Sequence, residues 1–332
     1  MGGEETMKAL IFDKPNAPLV TQVQSPSISE NEVMIRTSRV GICHSDYELL
    51  SGNYIIPISY PVTPGHEWVG EVVEVGRNVQ GLSVGDRVVG ECVIRTPERI
   101  HHFGFSMDGA DREYFAARPE WLHKLPEGVD DAKGALIEPF TCGYYAVLRH
   151  GGVDASQTVV VSGGGTIGLV SAAAAIGMGA RVIVVDPVPL RREIAMKLGA
   201  DAVIDPTDGD PVEAVTEMTR GGADLVVEAA GHPASLANVF EYARPEGFVS
   251  MVGINIGQTF PVELGKIQIK DLTVRGCIGS PGVWPAAIRF LERTNLDLSP
   301  IQTHSFELDD ALAAFELGKD PQQAVKVTLN IN

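Results

Sequence analysis

Between an apolar run at residues 158–161 and an alanine-rich run that begins near residue 169 lies Gly163-Gly164-Gly165-Thr166-Ile167-Gly168. The spacing is G-x-G-x-x-G, and its surroundings decide what it means. A strand-like run precedes it, a helix-like run follows, and Asp186 closes the next apolar run at 181–185. In that setting Gly163 permits a tight turn, Gly165 lets a pyrophosphate approach the backbone, and Gly168 lets helix and strand pack closely. Thr166 and Ile167 open the helix, whose free N–H groups and positive dipole end favour phosphate. Asp186 is placed to accept hydrogen bonds from a ribose diol. Its charge repels a 2′-phosphate, so NAD is expected over NADP. Arg191 and Arg192 follow a few residues on; Arg191 is a further candidate for the cofactor, with a solvated helix face as the alternative reading for both.

The rest of the second half continues that pattern. Apolar runs at 202–204, 225–228, 248–252 and 272–277 alternate with helix-like stretches at 191–198, 210–219 and 233–242. Strands that are apolar throughout and alternate with helices form a parallel sheet covered on both faces. The first half differs: short alternating strands at 8–12, 32–40, 67–75 and 86–89 are punctuated by glycine, which suggests a β-rich, barrel-like domain. Helices are expected at 47–50, 284–293 and 309–317. A last strand at 324–331 has no obvious partner in the parallel sheet, so the tail is expected to return to the first domain.

The chain has 332 residues, enough for about two domains. Lys and Arg total 26 against 43 Asp and Glu, a formal charge of −17. That balance disfavours nucleic acid and anionic membrane as partners, since both need a basic footprint. No run is long and apolar enough for a transmembrane span. The four cysteines, Cys43, Cys92, Cys142 and Cys277, form no CxxC pair and no disulfide pattern, and no export signal is visible, so the cytoplasm is the expected compartment.

Polar chemistry concentrates in three places: Cys43-His44-Ser45-Asp46, Gly65-His66-Glu67, and Ile137-Glu138-Pro139. Each residue has an ordinary reading taken alone, as a buried thiol, a turn histidine or a surface carboxylate. Taken together, Cys43, His66 and a glutamate supply a thiolate, an imidazole and a carboxylate, which neutralise Zn²⁺ and leave one position for water or substrate.

At this point the chain resembles the zinc-dependent medium-chain dehydrogenases. The likeness rests on Gly41 to Asp46, Pro64-Gly65-His66-Glu67, Val84-Gly85-Asp86-Arg87-Val88 and Gly163 to Gly168, in that order. It implies a GroES-like β-rich catalytic domain, residues 1–145 and 281–332, split by a Rossmann NAD-binding domain, residues 146–280. It implies Cys43 and His66 as zinc ligands, Ser45 as the hydroxyl that takes the alcohol proton, His44 as the end of that relay, and Asp46 as the carboxylate that orients the ligand histidine. Glu138 stands where alcohol dehydrogenases proper carry a cysteine, as in the sorbitol, threonine and sugar dehydrogenase branch. There Glu67, Glu138 or both approach the metal. Cys142 falls just past the ligand position and reads as packing.

Many members of the family hold a second, structural zinc in a lobe with four close cysteines. Here the corresponding stretch keeps only Cys92, with His101 and His102 nearby. One catalytic zinc per chain is therefore expected, with 95–105 a metal-free loop. The implied reaction is hydride transfer between a secondary alcohol of polyol, sugar or cyclitol type and NAD. A simple-alcohol or threonine-type dehydrogenase is the alternative, followed by a zinc-free quinone or enoyl reductase and by a non-catalytic dinucleotide-binding protein. The resemblance also implies a homodimer or homotetramer paired through the last sheet strands, around 248–277.

Overall fold

The computed structural model describes residues 6–54, 58–96, 99–148, 152–253 and 259–331. Residues 55–57 of the expected 53–64 loop, and 254–258 within the expected pairing region, lie outside the described residues. The chain divides into two compact units, Met1–Glu138 with Gln302–Asn332, and Pro139–Ile301.

The first piece of chain supplies strands β1 (Thr6–Phe12), β2 (Pro18–Gln24), β3 (Val33–Gly41), β4 (Glu67–Val75), β5 (Arg87–Gly90), β6 (Val93–Arg95), β7 (Ile100–His102), β8 (Tyr114–Ala117) and β9 (Leu122–Lys124). It also forms helices α1 (His44–Ser51) and α2 (Asp131–Gly134), and α3 (Ile137–Leu148) begins at its end. The second unit contains β10 (Thr158–Ser162), α4 (Thr166–Gly177), β11 (Arg181–Val185), α5 (Pro189–Leu198), β12 (Ala202–Ile204), α6 (Pro211–Thr219) and β13 (Ala223–Glu228). It continues with α7 (Pro233–Tyr242), β14 (Ala243–Met251), α8 (Gly265–Ile269), β15 (Thr273–Gly276) and α9 (Trp284–Thr294). The chain then forms β16 (Gln302–Glu307), α10 (Ala311–Gly318) and β17 (Lys326–Asn330).

In the first unit a seven-stranded sheet runs β16-β17-β3-β4-β5-β9, with β8 also on β3. β3 is its hub, pairing with β17, β4 and β8, and its apolar residues Val33, Ile35 and Val40 are fully or almost fully buried. The last strand, β17, pairs antiparallel with β3, Thr328 opposite Gly41. The core gathers Leu10, Phe12, Trp68, Phe115 and Leu329, and Trp68 meets Phe115 edge-on at 4.8 Å. The stretch expected as a loop at 95–105 is in part a short hairpin: β6 and β7 pair antiparallel with Ile94 opposite His101. The β-branched Val93, Ile94 and Ile100 favour extended backbone there, and Ile94 is buried.

The second unit is a six-stranded sheet, β12-β11-β10-β13-β14-β15, with every pair parallel. Its central strands are buried on both faces: Val159, Val160, Val161, Ile183 and Val226 expose nothing. The order reverses between β10 and β13, which makes the C-terminal ends of those strands the crevice where such sheets hold ligands. The boundaries between units fall at 138/139 and 301/302, whereas the sequence reading put them at 145/146 and 280/281. Packing explains the offset. Phe140 and Tyr144 of α3 contact Phe290 of α9 at ring separations of 6.2 and 5.2 Å, so both helices lie with the parallel sheet. No described helix is long and apolar enough to cross a membrane.

Candidate metal centre and dinucleotide site

The register of β3 and β4 builds the first site. Gly41 lies directly opposite Glu67, so the residues just past β3 and just before β4 meet at one end of the sheet. Cys43 and His66 therefore come together although 22 residues separate them. Cys43, His66 and Glu67 offer ligand atoms that all lie within 4.8 Å of one another. A Cβ at position 41 would stand 2.4 Å from Glu67 Oε2, so any larger residue there must displace that carboxylate.

Asp46 sits in the first turn of α1. Its Oδ2 accepts from the Cys43 backbone N–H at 2.8 Å, closing a reciprocal cap with the Cys43 side chain at the helix start. Its Oδ1 stands 3.4 Å from His66 Nδ1, and neither atom has another hydrogen-bond partner among the described residues. Asp46 thus faces one nitrogen of the ring and leaves the other for a metal. Burial opposes a charged His66 ring, but Asp46, Cys92 and hydrogen bonds to Asp46 and Cys43 outweigh it and hold the pKa well above the ordinary histidine value. His44 is exposed, Ser45 half-buried and Asp46 buried.

Glu138, at the start of α3, is half-buried. Burial and the carboxylates of Glu67 and Asp46 push its pKa up to about 7, against the pull of His66 and Lys326. Lys326 is a residue that sequence reasoning missed. It lies on β17 and is 2% exposed. Its ammonium donates to Glu67 Oε2 at 2.5 Å and to the Ile42 carbonyl at 2.8 Å. Burial disfavours its charge, yet Glu67, Cys43 and Asp46 hold its pKa above the ordinary lysine value. The available signal was a lone lysine in the otherwise apolar and hydroxylic run Val325 to Leu329. Such a lysine needs an acidic partner when buried.

Asp111 was also missed. It is 2% exposed, and its Oδ1 has no partner among the described residues. Burial, with Asp46 adding to it, raises its carboxyl pKa well above the usual range. Cys92 is a thiol whose pKa burial pushes up to about 12, which disfavours the thiolate a metal requires. His101 bonds Arg99 Nε at 3.1 Å. Among the described residues, Cys43, His66 and Glu67 are the group of three metal donors.

The donor chemistry fits zinc. A thiol, an imidazole and a carboxylate converge within 4.8 Å of one another, so small side-chain shifts would bring them onto one tetrahedral ion, and one ring nitrogen is already matched to a carboxylate.

In the second unit the glycine turn joins β10 to α4. Gly163 has φ +103°, and a Cβ on it would meet Ala230 at 2.8 Å. A Cβ on Gly168 would fall 1.8 Å from the Gly163 carbonyl. Gly165 caps α4, and a Cβ there would meet no atom within 4 Å. The backbone at Gly165 therefore borders open space, where a phosphate can approach. Thr166 and Ile167 form the first turn of α4. Asp186 is 2% exposed. Its oxygens accept from the Gly164 and Val188 N–H groups, each at 2.7 Å, so it ties the glycine turn to the end of β11. Arg191 approaches the same carboxylate at 3.4 Å, and Arg192 donates to the Asp186 carbonyl at 2.7 Å. Cys142 is half-buried on α3 and forms no disulfide among the described residues.

Lewis acidity in one unit and dinucleotide capture in the other make a pair of functions, and that pair defines a class, the zinc-dependent dehydrogenases. Residues 29–127 match the alcohol dehydrogenase GroES-like domain and residues 166–293 match the zinc-binding dehydrogenase domain. The chain is 33% identical to a sorbitol dehydrogenase of Halalkalibacterium halodurans, over 97% of this chain and 99% of that one. It is 34% identical to an L-threonine 3-dehydrogenase of Pyrococcus abyssi, over 94% and 95% of the two chains. A structure from Sinorhizobium meliloti 1021, described as a zinc-binding dehydrogenase and bound to NADP, superposes with a TM-score of 0.91 at 29% identity, covering 98% of this chain and 99% of that one. The chain belongs to the zinc-type medium-chain alcohol dehydrogenase superfamily. It is an alcohol or polyol oxidoreductase that works with zinc and a nicotinamide cofactor.

Proposed function

We propose that the enzyme oxidises a secondary alcohol of polyol, sugar or cyclitol type with NAD, using one zinc held by Cys43, His66 and Glu67. The convergence of those three donors within 4.8 Å carries this reading. Glu138 is the competing third ligand. Its place outside that group, and a carboxyl pKa pushed up to about 7, favour Glu67. Lys326 supports the choice, because a buried cation beside Glu67 offsets the surplus negative charge of two glutamates.

When bound, the metal supplies Lewis acidity that lowers the pKa of an alcohol, and the dinucleotide accepts hydride. The protein handles the proton. Burial falls from Asp46 through half-buried Ser45 to exposed His44. That gradient suits a relay in which the Ser45 hydroxyl takes the alcohol proton and His44 delivers it to water. Asp46 holds the ligand ring in place. Gly163, Gly165, Thr166, Ile167 and Gly168 would receive the pyrophosphate, with Asp186 and Arg191 at the adenosine ribose. Asp186 supports NAD by its charge; Arg191 and Arg192 beside it are the features that would favour a 2′-phosphate.

The outer edge of β15 has no strand partner among the described residues, and Ile278 just beyond it is 63% exposed. An unpaired edge next to exposed apolar surface suits pairing with a second copy, so we assign the enzyme as a homodimer or a tetramer built from such dimers, working in the cytoplasm.

The test is zinc content, together with NADH formation from a panel of polyols, L-threonine and simple alcohols, for the wild type, Glu67→Gln and Glu138→Gln. The expected result is one zinc per chain, turnover on a polyol, and metal loss in Glu67→Gln but not in Glu138→Gln. The reverse pattern of metal loss would transfer the ligand role to Glu138. Undiminished turnover after zinc removal would reject the metal mechanism.

A further inference from the structure

Glu228, the last residue of β13, is completely buried in the second unit, and no part of the zinc chemistry uses it. Its Oε1 accepts from the N–H groups of Ala230 and Gly231, at 3.1 and 2.9 Å, and from the Ser235 hydroxyl at 2.7 Å. Ser235 in turn contacts the Ser162 hydroxyl at 2.8 Å, one residue before Gly163. The Glu228 carbonyl accepts from Val252 and Gly253 at 2.8 and 2.9 Å. One residue therefore joins the C-terminal ends of β10, β13 and β14. The Ala229–Ala230 segment it holds is the wall against which Gly163 packs, because a Cβ on Gly163 would strike Ala230.

The second oxygen behaves differently. Oε2 is buried and has no hydrogen-bond partner among the described residues. It points to Gly253, where an added Cβ would come within 2.5 Å of it. The groups bonded to Glu228 are backbone amides and a hydroxyl, and no ion pair to it is found among the described residues. Glu228 and Ser162 share one register position on neighbouring strands. That position is the reversal point of the sheet, directly below the crevice in which such folds hold a dinucleotide. β11 and β12 extend to one side of that point, where a bound dinucleotide would lay its adenosine half. β13, β14 and β15 extend to the other, where a bound dinucleotide would lay its nicotinamide half.

We infer that Glu228 is a positioning residue for the nicotinamide half of the cofactor, and that its buried carboxylate favours the oxidised dinucleotide over the reduced one. The inference rests on the dinucleotide reading of this crevice. Oxidised and reduced dinucleotides are nearly the same in shape. They differ by one positive charge, carried on the nicotinamide ring of the oxidised form. A buried acid with neutral hydrogen-bond partners distinguishes two such ligands by charge alone, and for unit charges roughly 10 Å apart in protein such discrimination is on the order of ten-fold.

The experiment is direct titration of NAD⁺ and of NADH, by calorimetry and by nicotinamide fluorescence, into the zinc-loaded wild type and the Glu228→Gln variant. Gln keeps the size and the acceptor that Ala230 and Gly231 need, and removes the charge. The expected result is a Kd for NAD⁺ raised about ten-fold relative to that for NADH. Equal weakening of both forms, or no change in either, would overturn the inference, since a role in packing alone moves both together. Ser235→Lys is the second variant, for use if Gln impairs folding. It leaves Glu228 in place and sets a cation beside it, and it should shift the ratio in the same direction. An unchanged ratio in a folded Ser235→Lys protein counts against the inference equally. A wild type that binds neither NAD⁺ nor NADH would defeat the underlying dinucleotide reading as well.

Discussion

The zinc site and the glycine turn do comparable work by opposite means. The turn is local: Gly163 to Gly168 are contiguous, and their function depends on backbone shape. The proposed zinc site draws Cys43, His66 and Glu67 together with Asp46, Glu138 and Lys326 around them, and most of these are buried ionisable groups. The first is limited by space and the second by charge. Damage to the turn should therefore appear as steric strain in one unit. Damage to the zinc site should appear as uncompensated charge, and it should depend on metal and pH.

The largest expected effect is at Cys43. Cys43→Ser should leave well under one zinc per chain and lower turnover by about 10³-fold, the scale of several kcal/mol of lost charge stabilisation. Elemental analysis beside steady-state rates tests it, and retention of full zinc would count against Cys43 as a ligand. Next is Lys326→Met, which leaves Glu67 buried without its cation. Metal-free protein should lose about 3–5 kcal/mol in urea unfolding, and added zinc should restore part of it. A loss below about 1 kcal/mol would mean that the pair is not the electrostatic keystone of the site.

Gly168→Ala probes the other region. A methyl group there must displace the Gly163 carbonyl, at a cost of about 1–3 kcal/mol. Zinc content should stay at wild-type level, and a metal-dependent stability loss would blur the contrast between the regions. Smaller still is Gly165→Ala, whose added Cβ meets open space. Stability should fall by less than about 1 kcal/mol, while NAD binding weakens measurably by titration, because the methyl group occupies the path of the phosphates.

The pH response sharpens the comparison further. His66 must be neutral to bind zinc, and its folded pKa is raised. Zinc affinity should therefore decline as pH falls through that raised value, beginning above the ordinary histidine range near 6.5. In metal-free protein the sign is reversed. The stability contributed by charged His66 is fully present below its unfolded pKa and is lost as pH rises through the folded one. Competition of a chromogenic chelator for zinc across pH, set beside unfolding of the apo-protein, would show both trends. A flat zinc affinity would remove His66 from the ligand set.

Legibility in the sequence followed the same divide. The parallel sheet was readable because Val159 to Val161, Ile183 and Val226 sit in runs that are apolar without interruption. The glycine turn was readable because every residue it needs is adjacent. Cys43, His66 and Glu67 stood out by type, although the register that joins them, Gly41 opposite Glu67, is not visible in the residues themselves. Lys326 was legible only as a lone lysine in an apolar run, and its partner was not. It pairs with a partner 259 positions away, and no local pattern encodes a contact at that distance. The β6–β7 hairpin was missed because each strand has only three residues, too few to show a period. Asp186 was legible as an acid at a strand end, but its hold on the Gly164 and Val188 amides depends on three-dimensional closure.

The return of β17 to β3 has a consequence for how the enzyme is made. The unit spanning residues 139–301 is one continuous stretch, so a ribosome can release it whole, and it can fold while synthesis continues. The unit holding the metal donors cannot do the same. Its hub strand β3 and its proposed zinc donors emerge early, yet the strand that flanks them and the lysine that pairs with Glu67 come out more than 250 residues later. During that interval the early segment must wait, with its thiol and carboxylates gathered but unbalanced. Biogenesis of the proposed zinc centre thereby waits on the synthesis of β17.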